Sequence, residues 1–463
     1  MKNYSIKTLS HLAIGACVLA LVCAPARAQT KAAAKPAKSA MATEAAGGPI
    51  ALKGGKLLTI THGVIENGVV VMENGKITAV GAASTTSIPA NAQVIDASGM
   101  TVYPGLIDAE SNLGLTEISA DQMTNDLVET SDEIMPQMHV YDAFHAESEV
   151  IPVTRYNGIT NAVVAPASRD TLPGQDSFIQ LDGKSAQEML LVRDIAMPLN
   201  FTGEQRRQGR GGNLEGARYP ETRMGMAAQL RQAFLDAQDY ARHWADYEKR
   251  KAAPSTGSAD TKDAPEPPKH DLKLEALVPY LEGKKTVVLA ADESNDIETA
   301  VSLANEFHLK FVLNHVTHSQ GVLDYVAKLK VPVIVGPIYE FPKDDERYDA
   351  VYSLPGELYK RGVKIAFASY DSHQVRNLPY AAGMAVAYGL PYDEALKAIT
   401  INPAEIFGVA SQLGSLDVGK TANVVVSTGD PLDVRTDVKH VFIAGHEIPM
   451  TNRQTVLRDE YSK

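Results

Sequence analysis

Apolar and polar positions change rhythm along this 463-residue chain. From Leu57 onward, short β-prone runs alternate with turns: residues 57–61, 68–72 and 76–80 favour strands. Glu73-Asn74-Gly75 joins the last two, because Asn-Gly tolerates the positive φ of a tight hairpin turn. A similar rhythm returns at the far end, where residues 422–427 and 438–443 run apolar or alternate and Gly419 and Gly445 sit at turns. Between the two ends, apolar runs at 102–109, 159–165, 286–291, 309–315, 331–335 and 363–368 are separated by helix-length stretches. That alternation predicts an α/β architecture with parallel strands, either a barrel or a doubly wound sheet.

One stretch has a different period. Met226, Leu230, Phe234, Ala237, Ala241, Trp244 and Tyr247 recur every three or four residues, which predicts a long helix with one apolar face packed on the central layer. Pro254-Ser255-Thr256-Gly257 and Pro265-Glu266-Pro267-Pro268 follow, polar and proline-rich, so the helix and its tail read as an insertion at about 202–270. Just before the helix, Arg206, Arg207 and Arg210 alternate with Gly209, Gly211 and Gly212, a basic loop that is expected to be solvated or to close over an anion.

The first residues follow neither pattern. Lys2 and Lys7 precede an apolar run from Leu12 to Ala24, and Ala26-Arg27-Ala28 suits a small-residue cleavage site, so residues 1–28 are expected to be an export signal and the mature chain to begin near Gln29. Ile14-Gly15-Ala16-Cys17 loosely matches a lipidation box, which keeps a lipoprotein as the alternative to soluble export. Residues 29–48 form an Ala/Lys/Pro-rich leader without core-forming periodicity.

Removal of the signal changes the available chemistry. Both cysteines, Cys17 and Cys23, leave with it, so a mature chain has no disulfide, thiolate metal site or cysteine nucleophile. Three basic residues leave as well, taking the formal charge from −12 to −15. An acidic chain with no second hydrophobic span points to the periplasm or the medium, and its charge argues against nucleic acid as a partner.

The chemistry-bearing motifs come next. Pro104-Gly105-Leu106-Ile107-Asp108, the segment from Asn377-Leu378-Pro379 to Ile401-Asn402-Pro403-Ala404, and the closing run from Gly414 to Asn423 resemble the amidohydrolase superfamily, in particular its imidazolonepropionase-like branch. The resemblance covers most of residues 50–450. It implies a (β/α)8 TIM-type barrel at 102–411 with a composite β-sandwich from 49–101 plus 412–463, and an active site at the C-terminal ends of the barrel strands. It also implies one or two divalent metals, commonly zinc, that activate water for hydrolysis of non-peptide C–N bonds while a carboxylate takes the proton.

Carried over residue by residue, the metal set is depleted. The two histidines expected just beyond Asp108 are replaced by Glu110 and Asn112, and the position after the fifth strand holds Ala290. His315 and Asp371 match the family's sixth-strand histidine and eighth-strand aspartate. Glu110, His315 and Asp371 would supply three ligands, with His373 as a further donor and His318 as a loop histidine. In that arrangement Asp371 would be the general base, and His315 a ligand or carbonyl polariser. Arg376 has the planar fork that recognises a substrate carboxylate, or forms a structural ion pair.

Two functions follow. One is a noncanonical metal-dependent hydrolase of amide or cyclic amide bonds. The other is a catalytically reduced family member that binds a small molecule or supports an active paralogue, with a homo-oligomer as a further arrangement. Fold alone does not choose between them.

Overall fold

The computed structural model describes residues 48–201, 220, 222–252 and 265–462. The export signal, all but the last residue of the leader, and the Arg206–Arg210 loop lie outside these residues. Two eight-stranded sheets organise the described chain.

The first sheet is built from both ends of the sequence. Strands β1 (Ile50–Leu58), β2 (Val64–Glu73) and β3 (Lys76–Ala82) form an antiparallel meander. The β2–β3 turn has φ of 51° at Asn74 and 73° at Gly75, as the Asn-Gly pair predicts. Strands β4 (Gln93–Asp96) and β5 (Thr101–Pro104) run parallel to the first and second halves of β1. Beyond the barrel, the chain returns as β14 (Val424–Ser427), β15 (Val438–Ile443) and β16 (His446–Glu447), and β14 pairs directly with β5. Leu52, Leu57, Val70, Met72 and Val102 from the front share one core with Leu416, Val424, Val426 and Phe442 from the back.

The second sheet comprises β6 (Leu106–Ser111), β7 (Ile159–Val164), β8 (Asp176–Gln180), β9 (Leu190–Asn200), β10 (Thr286–Glu293), β11 (Phe311–His318), β12 (Val333–Val335) and β13 (Ile365–Phe367), adjacent in that order. It curls into a nearly closed TIM-type barrel: just past β13 the Tyr370 N–H donates to the Glu110 carbonyl at 3.0 Å, bringing the last strand to the first. Neighbours pair in parallel except at β8, which runs antiparallel to both β7 and β9. Strict strand–helix alternation therefore lapses there. Ile107, Val163, Phe178, Val288, Val312, Ile334 and Ala366 fill the interior.

The apolar run 102–109 is two strands in two sheets. Gly105 lies at the crossover, where a Cβ would come within 2.1 Å of Thr160 Oγ1 and 2.4 Å of its Cγ2, and Thr160 is fully buried. Gly105→Ala is expected to lower the unfolding free energy by about 1–3 kcal/mol through overpacking, measured by urea titration. A neutral result would show that the two sheets can separate at this seam without cost.

The long helix spans Arg223–Ala252 and buries Met226, Ala227, Leu230, Phe234 and Ala237, with the Phe234 ring 5.0 Å from that of Phe307. Only its first half packs on the barrel helices. Ala241, Trp244 and Tyr247, predicted on the same buried face, are only partly covered, and Trp244 packs locally against Tyr240, Tyr247 and His270. Among the described residues no helix is long and apolar enough to cross a membrane.

Candidate functional site

Register sets the centre of the site. Ala290 on β10 pairs with Asn200 on β9 and Asn314 on β11, so an alanine methyl sits between two asparagines at the level where a ligand histidine would stand. Asn200 turns its amide to the Asp170 carbonyl at 2.7 Å. Asn314, which is fully buried, donates through Nδ2 to Glu110 Oε2 at 2.7 Å; its Oδ1 accepts from the Tyr370 hydroxyl at 2.5 Å and from the His315 N–H at 3.1 Å.

Glu110 thus ends in a hydrogen-bond network and not beside a cation or an arginine. Asp108 lies next to it: its Oδ1 accepts the N–H of Glu110 at 3.2 Å and of Ser369 at 3.1 Å, while its Oδ2 is buried without a partner. Asp176 on β8 is fully buried, and neither carboxyl oxygen has a partner. Burial pushes all three acids upward. Asp108 rises to about 7 against the opposing hydrogen bonds from Ser369 and Glu110. Glu110 rises to about 8 by desolvation, opposed by Asn314 and reinforced by Asp108. Asp176 lies well above the usual carboxylate range, first by desolvation and then by its acidic neighbours Glu110 and Asp194. Burial thus favours the neutral acid at all three, with Asp108 near its midpoint at neutral pH.

His315 is buried and stacks on Tyr370, with ring centroids 4.1 Å apart. Its Nε2 has no partner, and burial drives its pKa down, so it is neutral. His315 and Val316 hold φ of 67° and 58°, consecutive left-handed conformations that side chains of this kind adopt at a cost of roughly 1–2 kcal/mol each. Burial likewise raises Tyr370, whose hydroxyl remains a donor.

The other residues singled out in the sequence are placed elsewhere. Asp371 Oδ1 accepts the backbone N–H groups of His373 at 2.6 Å and Gln374 at 2.8 Å, in the turn that leads into the short helix Gln374–Asn377. His373 Nε2 lies 3.0 Å from the Glu117 carbonyl. His318 is not an open loop residue: it ends β11 and meets Glu346 at 2.8 Å, both largely covered. Arg376 lines a separate cavity beside Glu117, away from Glu110. Asn112 donates to the Ala165 carbonyl at 2.8 Å.

The donor set does not fit a divalent metal. The Glu110 Oε2 accepts an amide N–H, the Ala290 side chain offers no lone pair, and Asp371 gives one carboxyl oxygen to two backbone N–H groups. Among the described residues no three His, Asp or Glu side chains are arranged to hold a cation. The residues that sequence reasoning passed over are Asn314 and Tyr370, immediate neighbours of His315 and Asp371, and the buried Asp176.

The amidohydrolase family profile matches residues 282–448. An amidohydrolase of Thermotoga maritima MSB8 superposes with a TM-score of 0.77 and 28% identity, covering 87% of this chain and all of that one. Among curated proteins, amidohydrolase tasK of Hapsidospora irregularis is 28% identical over 394 residues, 82% of this chain and 39% of its own length. A 5'-deoxyadenosine deaminase of Methanococcoides burtonii is 48% identical over 69 residues, 14% of this chain and 15% of its own. The chain therefore spans well under half the length of each of these two curated relatives. With the nearly closed barrel and the sheet shared by both termini, the chain is similar in fold and sequence to amidohydrolases, a group of hydrolases that generally depend on metal, and its residues 282–448 match the amidohydrolase family.

Proposed function

We propose that this chain keeps the hydrolase frame of its family without the metal-activated water, and acts as a small-molecule-binding or structural partner of an active family member. The observation that carries this reading is the Asn314 bond to Glu110: a cation bound through both carboxyl oxygens would have to displace an amide N–H already 2.7 Å from Oε2, and no other His, Asp or Glu among the described residues completes a site with it.

A second reading is hydrolysis of a non-peptide C–N bond, an amide or cyclic amide, in the imidazolonepropionase-like branch. The Thermotoga likeness over that protein's whole length favours it, as do two carboxyls, Asp108 and Glu110, that retain protons near neutral pH at a strand end. In either reading the mature protein is exported, periplasmic or secreted, and begins near Gln29.

Metal content and turnover decide between the readings. Protein purified without chelator, then equilibrated with zinc and dialysed, is expected to carry substoichiometric metal and to turn over no amide, lactam or dipeptide. Stoichiometric metal in the native chain that is lost in both Glu110→Ala and Asp371→Ala would overturn the metal-free site. Turnover without bound metal would establish the second reading.

A further inference from the structure

A cavity of about 520 Å3 opens where the segment after β6, the helix Val150–Arg155, the stretch after β13 and the first turn of the C-terminal helix Arg453–Tyr461 meet. Glu110, Asn314 and His315 do not line it. Its wall holds two arginines, one acid with a buried oxygen, Glu117, and two exposed acids, Glu147 and Glu149. Arg376 and Arg453 both line it, and neither guanidinium has a hydrogen-bond or ion-pair partner among the described residues. Glu117 lines it with a buried Oε1 that has no partner, and beside it Thr116, 5% exposed, holds a buried hydroxyl also without a partner. His373 is already committed to the Glu117 backbone carbonyl, which leaves the Glu117 carboxylate free for a ligand. Ile118 and Val153 give the cavity apolar surface.

The chemistry narrows the occupant. A simple anion would satisfy the arginines and face the Glu117 carboxylate, with Glu147 and Glu149 also lining the cavity. A simple cation would face two unpaired guanidiniums. A buried polar atom without a partner costs about 1–3 kcal/mol, and a molecule carrying both charges offers a carboxylate to the two arginines and an ammonium to the buried oxygens of Glu117 and Thr116, with Glu147 and Glu149 left to solvent. The volume suits a ligand of small-molecule size, and the planar fork of arginine suits a carboxylate.

We propose that this cavity binds a small zwitterion of the amino-acid type, its carboxylate between Arg376 and Arg453, its ammonium on Glu117 and Thr116, and an apolar side chain against Ile118 and Val153. The inference is independent of whether the Glu110 site turns over substrate. A free amino acid and a dipeptide share this chemistry, and the charge separation that fits distinguishes them.

Calorimetric titration of the full chain with L-leucine, L-leucyl-L-leucine, N-acetyl-L-leucine and L-leucinamide tests it. Saturable binding of L-leucine or of the dipeptide is expected, weakened at least tenfold when the amine is acetylated or the carboxylate amidated. Arg453→Ala, at an exposed position that the fold does not need, is expected to weaken the zwitterion at least tenfold, as is Glu117→Gln. Absence of saturable binding by both zwitterions overturns the proposal, as does equal binding of the blocked derivatives or unchanged affinity in Arg453→Ala.

Discussion

Asn314→Leu is expected to lower the unfolding free energy by about 3–5 kcal/mol, because one side chain serves three buried groups at once. Its amide donates to Glu110 Oε2, and its carbonyl accepts from the Tyr370 hydroxyl and the His315 N–H. Leucine fills the same volume and pairs with none of them. Part of the loss is recovered, since Tyr370 has the Ile334 carbonyl at 3.4 Å and His315 N–H has the Tyr370 hydroxyl at 3.3 Å as weaker alternatives. Glu110 has no other hydrogen-bond donor to that oxygen among the described residues and carries most of the cost. Tyr370→Phe removes a single donor and is expected to cost about 1–2 kcal/mol; the double variant should fall short of the sum, because the two changes break one shared bond. Urea titrations of the four proteins measure the cycle. A loss under about 1 kcal/mol for Asn314→Leu would mean that the network does not form in solution.

That network shows where sequence reading stopped. The apolar runs that became β10, β11, β12 and β13 were legible because strands buried on both faces read as continuous hydrophobic stretches. Strand β8 was not: Asp176-Ser177-Phe178-Ile179-Gln180 carries three polar residues, all buried, and nothing in its periodicity marks it as barrel wall. Strand β9 contains Arg193 and Asp194, the latter at φ 53°, which breaks the alternation a strand would show. The split of 102–109 into two sheets was hidden for the opposite reason. Both halves are buried, so the run reads as apolar from Val102 to Ile107 across a crossover that Pro104 and Gly105 mark.

At the site, position along the chain was legible and side-chain direction was not. Glu110 and His315 were expected near the barrel mouth; Glu110 lies in β6 and His315 in β11, both buried. Asp371 was expected to join them, yet Tyr370 adopts φ 54° and turns the chain, so the tyrosine reaches Asn314 while Asp371 is directed to the backbone of His373 and Gln374. A single left-handed residue decides which of two neighbours enters the network, and sequence spacing carries no record of it. Asn314 illustrates the same limit from the other side: it shares the inward parity of Val312, while attention fell on the histidine after it.

Stability is expected to fall as pH rises from about 4 to about 8, the reverse of a protein held by paired carboxylates. Asp108 and Glu110 are raised in the folded chain to about 7 and about 8 because burial penalises their charged forms. In the unfolded chain both ionise near the usual carboxylate range. Between those limits the folded state holds more protons than the unfolded state, so the slope of unfolding free energy against pH is negative. Below about pH 4 both states are protonated and the penalty vanishes; above about pH 8 Asp108 and Glu110 are ionised and their part of it levels off, while the buried Asp176 adds to the decline in the same direction. The two groups interact, so the decline is a property of the pair and is expected to be several kcal/mol across the window. Glu110→Gln removes one titrating group while leaving an oxygen to accept from Asn314. It should flatten the upper part of the decline and leave the variant more stable than the parent at pH 8. Melting temperatures and urea midpoints at half-unit steps from pH 5 to 8.5 measure this. A parent whose stability rises through that range would show that the carboxyls are ionised in the folded chain, which requires a counter-charge at Glu110 and would return the site to the metal-binding design it otherwise lacks.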